Sequence, residues 1–423
     1  MNEKEYAPPI NRLELDTAAT MFPLAFCKKH KSLIRLTVTM SDPIDRNSLQ
    51  SALDRLMPRF PSFYVRLSHN RFRYFFESLD YTPVILEEAR ANDPLFMTLD
   101  ELYTCAFRVV VAENRIALEY SHAVSDGYGG SVFLKSLIAE YLNIRYSVSG
   151  FPGVLCVKEA STYDEIKDEY PKIAGVANKL KDFPSAYSLK GTPDEKLHIT
   201  ELTFKTEALL NCASEHGVTL TAFLSGILVA ALTDVRWYKN KKQQEVRLSI
   251  PIDLRRRFSS CTLRNFTVPI TIYAGNVSEK TDISALCQSI HKQLKRSTNK
   301  ENLSAMVAMY VKMAKSRVIS AMPLSLKRWG VQTFFSLRKV ESCMTFSNLG
   351  IWRLPDEMEP YVKQSGMMFS PKPSSPYSCG VVSVGNTLTL TLTRSIKEPL
   401  LEQRVLRILE NTIYKKNIRL ESV

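Results

Sequence analysis

No stretch of this chain approaches the roughly 18–20 consecutive apolar residues that a bilayer-spanning helix needs. The opening residues, MNEKEYAPPI, lack the apolar core of a secretory signal. The eight cysteines, at positions 27, 105, 156, 212, 261, 287, 343 and 379, include no C-x-x-C pair and no grouping with histidine at metal-ligand spacing. These absences point to a cytoplasmic protein with reduced thiols and no bound metal. There is no Walker A loop, no G-x-S-x-G elbow, no H-E-x-x-H and no dinucleotide fingerprint. The commonest signatures of nucleotide, serine-hydrolase and zinc-peptidase chemistry are therefore missing. No internal repeat or low-complexity tract is evident.

What remains is ordinary in bulk and basic in balance. Of 423 residues, 45% are hydrophobic and 23% charged, as in a soluble globular protein. The length suits two domains or one large two-lobed unit. Lys plus Arg number 56 against 43 Asp plus Glu, a net charge of +13. That favours anionic partners in general, whether nucleic acid, an anionic membrane or a polyphosphate such as coenzyme A. The basic residues are spread out, with short clusters only at Lys239–Lys242 and Arg255–Arg257. No nucleic-acid reader motif accompanies them, so no nucleic-acid partner is expected.

Periodicity predicts a strand over 33–40, rich in β-branched residues. A helix capped by Asp45 follows, with Leu49, Ala52, Leu53 and Leu56 on one face, ended by Pro58 and Pro61. Paired strands flank a turn near His69-Asn70. A second hairpin joins 106–111 to 115–122 around Glu113-Asn114. After Gly129-Gly130 a helix is expected, with Val132, Phe133, Leu137, Ile138 and Leu142 on its apolar face. The polar stretch 185–196 reads as a linker. Beyond it come a strand at HITELTFK, an apolar helix capped by Thr219, and strands at VRLSIPI and NFTVPITIY. Residues 281–320 are predicted mainly helical. Gly385-Asn386 joins two late strands, and Pro399 opens a last helix. The fold class is α+β, with mixed or antiparallel sheets packed with helices.

The chemically informative segment is Tyr120-Ser-His-Ala-Val-Ser-Asp-Gly-Tyr-Gly-Gly130. His122 ends a predicted strand, and glycines precede a helix. An imidazole at such an edge is reachable by substrate and takes a proton near neutral pH. Asp126 is placed to orient the histidine, bind a cation or pair with an arginine. Gly127 is expected to supply a backbone conformation closed to residues with a Cβ. Tyr128 is read as core in preference to a ligand wall. Two potential ligands, His122 and Asp126, are too few for a typical zinc site.

His122-Ala-Val-Ser-Asp126-Gly127 resembles the H-x-x-x-D-G signature of the chloramphenicol acetyltransferase-like superfamily. That group includes condensation domains of peptide synthetases, BAHD acyltransferases, wax ester synthases and alcohol acetyltransferases. Other segments are similar in family order: RFPSFYVRL (59–67), HGVTLTAFLSGILVAAL (216–232), Ile250-Pro-Ile-Asp-Leu-Arg255 and Thr345-Phe-Ser-Asn-Leu-Gly350. The likeness in motif is greatest to stand-alone alcohol acetyltransferases and wax ester synthases. Ser121 stands where many relatives carry a first histidine, and the D-F-G-W-G motif of the BAHD branch is absent.

The resemblance implies two similar lobes with an active-site tunnel between them. It divides the chain into an N-terminal lobe, 1–185, a linker, 186–198, and a C-terminal lobe, 199–423. It implies an acyltransferase with His122 as general base, acyl-CoA as co-substrate, no permanent cofactor and no covalent acyl-enzyme. The acceptor would be the hydroxyl or amine of a small or lipid-like molecule. Asp126 would hold the histidine loop by pairing with Arg255. Ser347 and Asn348 are candidate oxyanion donors or simply a strand-end turn. Alternatives are a carrier-protein donor, or a catalytically silent binding or scaffold protein of the same fold. Finally, residues 303–338 interleave Met, Trp and Phe with Lys and Arg. They read as core-facing helix with a solvated side in preference to a membrane-lying one. Peripheral membrane contact there would suit a lipid-like acceptor.

Overall fold

The structure is a computed structural model. It describes residues 6, 11–27, 30–91, 93–149, 151–177, 184–238, 244–275, 282–337, 339–372 and 374–414. The Lys239–Lys242 cluster and Arg338 lie outside the described residues. The fold is α+β. In the first half the strands are β1 (Arg12–Glu14), β2 (Leu33–Met40), β3 (Val65–His69), β4 (Tyr74–Ser78), β5 (Leu86–Glu87), β6 (Phe107–Ala112) and β7 (Arg115–Ser121). In the second half they are β8 (Pro193–Lys205), β9 (Arg247–Asp253), β10 (Thr267–Tyr273), β11 (Met344–Ile351), β12 (Val362–Phe369), β13 (Tyr377–Val384) and β14 (Thr387–Ile396).

These strands build a sheet in each lobe and a small flanking one. The first lobe holds a five-stranded sheet ordered β12-β2-β7-β6-β5. The second holds a six-stranded sheet ordered β10-β9-β11-β13-β14-β8, in which β11 runs parallel to both neighbours. A three-stranded sheet, β1-β4-β3, flanks the first lobe. Each main sheet packs against helices, and the buried apolar side chains form two clusters. One strand crosses the halves: β12 pairs antiparallel with β2 although it follows β11 in the chain. The stretch 186–198 is not an open tether. Ala186, Tyr187 and Leu189 are buried in the second core, and from Pro193 the chain is already β8.

The helix Gly127–Tyr146 explains how the first core is locked. It buries Phe133, Leu134, Leu137, Ile138 and Leu142. Phe133 stacks on Phe63 with ring centroids 4.5 Å apart and meets Phe60 and Phe107 edge-on. The helix begins at Gly127 and takes in Gly129 and Gly130, which the sequence reading placed before it. The Asp126 carboxylate accepts from the backbone N–H of Tyr128 and Gly129, which satisfies donors that would otherwise be orphaned.

The stretch 303–338 corrects an expectation. The helix Lys300–Ala314 is core-facing through Leu303, Val307 and Val311. The helices Arg317–Ala321 and Leu324–Leu337, however, bury nothing but Leu324. Their apolar residues meet solvent because both sides of the second helix carry apolar side chains and only one side has a partner. Among the described residues no single helix is long and apolar enough to cross a membrane.

Candidate active site

Strand β7 ends at Ser121, and the chain turns at once. His122 N–H donates to Ser32 O at 2.8 Å, and Val124 N–H to Ser121 O at 2.9 Å. The imidazole thus sits just past the end of a central strand, where the first lobe meets the segment 253–266 of the second. That segment grips the loop at several points. Ser125 Oγ donates to Leu263 O at 2.6 Å. A Cβ at Gly129 would collide with the same Leu263 carbonyl, so only glycine allows this approach.

Asp126 is the hub of the grip. Its carboxylate accepts from Arg255 Nη1 at 2.9 Å and Nη2 at 3.1 Å, and from Phe266 N–H at 2.8 Å. Both side chains of the pair are almost fully buried. Arg255 also donates to Asp253, to Thr262 O and to Arg264 O, so its guanidinium is well satisfied. The pair foreseen from the resemblance is therefore formed. It joins the N-terminus of the first-lobe helix to the second lobe.

The imidazole has a partner that sequence reasoning did not find. Its Nδ1 lies 3.0 Å from Asn265 Oδ1. The amide of Asn265 is oriented by the fully buried carboxylate of Asp16, which accepts from Asn265 Nδ2 at 3.1 Å. An amide nitrogen facing a carboxylate turns its oxygen to the histidine, and that oxygen only accepts. Nδ1 must then carry the proton, which leaves Nε2 as the free lone pair in the neutral ring. Asp16 is also held by Ala19 N–H and lies near Arg264. Burial raises its pKa to about 6, opposed by Arg264 and Asn265.

His122 keeps some accessible surface although protein packs densely round it. This burial lowers its pKa below the ordinary 6.5. It outweighs the ring's own backbone carbonyl, Asp126 and Asn265, all of which favour the cation. Phe22, from the helix Met21–Ala25, stacks on the imidazole with centroids 4.3 Å apart. A cavity of about 730 Å³ lies elsewhere, between the β3–β4 turn and the start of the helix Leu324–Leu337. It lacks His122, and the motif with its hydrogen-bond order lies outside it.

The remaining predicted residues divide. Gly127 does not take an unusual backbone: it is helical and its φ is not positive, and a Cβ there would meet only the flexible tips of Leu349, at 2.9 Å from Cδ2, and Met367. That contact brings the end of β11 directly against the histidine loop. Asn348 is committed to structure, with Nδ2 donating to Thr221 Oγ1 at 3.1 Å and Oδ1 accepting from Gly350 N–H at 2.8 Å. Ser347 is largely buried in the same strand. Tyr128 is not core. It is 41% exposed and lies on the outer side of the helix start, with the Arg255 guanidinium carbon 4.4 Å from its ring centre. No sequence signal could have revealed Asn265 or Phe22. Asp16 reads locally as nothing more than a cap.

The fold has well-characterised counterparts. The structure of polyketide synthase associated protein 5 from Mycobacterium tuberculosis superposes with a TM-score of 0.63 at 14% identity, over 96% of this chain and 98% of that one. A trichothecene 15-O-acetyltransferase from Fusarium sporotrichioides gives 0.60 at 11% identity, over 97% and 96%. The starter condensation domain of rhizomide synthetase, solved in complex with C8-CoA, gives 0.59 at 13% identity, over 95% of each. The fold is thus the one that these acetyltransferase and condensation-domain structures share. Residues 196–335 match the family described as the phthiocerol/phthiodiolone dimycocerosyl transferase C-terminus. No curated protein matches the chain.

Proposed function

We propose that this protein transfers an acyl group from acyl-CoA to the hydroxyl or amine of a small or lipid-like acceptor, with His122 as general base. The observation that carries this reading is the hydrogen-bond order Asp16–Asn265–His122, which presents a neutral imidazole with its Nε2 lone pair free. The similarity to acetyltransferase and condensation structures, one of them holding C8-CoA, supports acyl transfer and a CoA thioester donor.

In the proposed reaction Nε2 removes the acceptor proton as the oxygen or nitrogen attacks the thioester carbonyl. A tetrahedral oxyanion forms, the C–S bond breaks, and the imidazolium returns its proton to the departing thiolate. No acyl-enzyme forms and no permanent cofactor is required. The oxyanion needs a fixed donor. The two candidates are Ser347, through its hydroxyl, and Asn348, which keeps one amide N–H beyond the one given to Thr221. Asp126, Arg255 and Gly127 hold the loop and do not touch substrate. A cytoplasmic location fits the reading.

The deciding experiment is thiol release from acetyl-CoA and longer acyl-CoAs with a panel of alcohols and amines. Acceptor-dependent release is the expected result. Absence of release from every acyl-CoA would remove the CoA donor, and a trapped acyl-protein would remove the direct mechanism.

Two further outcomes follow from the site. Activity requires neutral His122, whose pKa is lowered, so kcat/KM holds down through pH 6.5 and falls only on the acid side of it. A profile centred above 6.5 would contradict a buried neutral base. Asn265→Leu removes the acceptor that fixes Nδ1–H. We expect kcat to fall about tenfold or more with little change in KM, because the ring loses its tautomer and aim while substrate contacts persist. An unchanged kcat would show that Asn265 is only a packing residue.

A further inference from the structure

The helix Leu324–Leu337 is firmly seated on one side and bare on the other. Its seated side buries Leu324, donates from Gln332 Nε2 to Phe26 O at 2.9 Å and from Lys327 Nζ to Phe72 O at 2.7 Å. On the other side Leu326, Trp329 and Leu337 recur at helical spacing, and Phe334 lies beside them. Trp329 is 69% and Leu337 80% exposed. The preceding helix, Arg317–Ala321, adds Val318 at 76%, and Ile319 and Met322 are exposed as well. Singly exposed apolar residues are ordinary, but a contiguous set of this size marks a surface that something covers.

The rim of this surface names the partner's charge. Lys312, Lys315 and Arg317 are exposed along its near edge. Arg71 and Arg328 line the 730 Å³ cavity beside it, together with His69 and Tyr74. The whole chain is basic, at +13. Along the bare face, Leu326, Trp329, Gly330, Thr333 and Leu337, with Ser325 and Ser336 at one margin, the polar side chains are small hydroxyls and none is charged, so there is little to specify a protein surface. An indole among aliphatic tips, fringed by cations, matches the boundary between lipid headgroups and acyl chains.

We propose that residues 312–337 dock this protein onto an anionic lipid bilayer. Leu326, Trp329 and Phe334 enter the acyl boundary, and the lysines and arginines lie at the phosphate level. The docking stands independently of the acyl-transfer reading. One consequence rests on that reading: the seated side of the helix presses on Met21–Ala25, whose Phe22 covers His122. A molecule leaving the bilayer at this point is one short helix away from the imidazole.

The test uses the full-length protein with vesicles of phosphatidylcholine alone and vesicles containing about one third phosphatidylserine. Binding is read by co-sedimentation and by quenching of Trp329 with brominated lipid, the signal being assigned with Trp329→Phe. Preferential, salt-sensitive binding to the anionic vesicles is expected. Leu326→Ser with Trp329→Ser should weaken partitioning by about tenfold or more without changing the fold, since both side chains are exposed. Lys315→Glu with Arg317→Glu should abolish the preference for phosphatidylserine. His122→Ala should bind like wild type, so docking and catalysis can fail separately. No binding to anionic vesicles at low salt, equal binding after the Leu326/Trp329 change, or burial of Trp329 in a dimer instead would overturn the proposal.

Discussion

Replacing His122 with alanine is expected to lower acceptor-dependent thiol release by about 10²–10⁴-fold, the usual contribution of a positioned general base. The protein should remain folded. Alanine loses the Nδ1–H bond to Asn265 but keeps the backbone N–H donation to Ser32, and the loop is still held by Asp126, Ser125 and Gly129. The loss should fall on kcat and kcat/KM alike, because proton removal belongs to the transition state. The stacked Phe22 and the Asn265 amide would then face an empty space. Activity within a few-fold of wild type in a folded variant would mean that the proton leaves by another route, and the scaffold alternative would gain.

The second large effect concerns stability. Asp126→Ala removes the carboxylate that pairs with Arg255, caps the helix Gly127–Tyr146 and accepts from Phe266. Breaking a buried pair costs about 3–5 kcal/mol, and a lost cap adds about 1 kcal/mol. Asp253 stays 2.8 Å from Arg255 and keeps its charge partly compensated, which places the pair contribution near the lower bound. Against a typical stability of about 5–15 kcal/mol such a loss is readily measured. The urea midpoint should drop with the slope unchanged. Arg255→Met should drop it too, because the carbonyls of Thr262 and Arg264 lose their donor. The double substitution should cost less than the two single losses added together, the signature of direct coupling. An unaltered midpoint for Asp126→Ala would show that the two lobes are joined elsewhere.

Much of this architecture was legible in the sequence, and the exceptions have physical causes. Local patterns located β2 at 33–40, the hairpin leading to His122, and the helix after it, because alternation and caps act over a few residues. The Asp126–Arg255 pair was legible only through family likeness, since no local rule links positions 129 apart. Asn265 and Asp16 were invisible for the same reason. Asn265 lies 143 residues from His122 and reads as the lead-in to a buried strand. Asp16 reads as a cap for Ala19, and nothing nearby shows that its second oxygen orients a distant amide. Gly127 was assigned to backbone freedom, but it is helical without a positive φ and faces the flexible tips of Leu349 and Met367. Tyr128 was read as core in preference to a ligand wall, but its ring faces outward over Arg255. The bare side of Leu324–Leu337 was misread because an apolar stripe says that a helix face is covered, not what covers it.

The crossing of β12 sets an order of events during synthesis. A ribosome releases the chain from its N-terminus, and domains usually fold as they emerge. Here β2 has β7 on one side, while its other side stays unpaired until Phe369 has been made. Until then the nascent first lobe presents an open, largely apolar strand, the kind of edge that recruits other chains. Completion of the early sheet depends on the later half: its last partner is made only after β8 to β11.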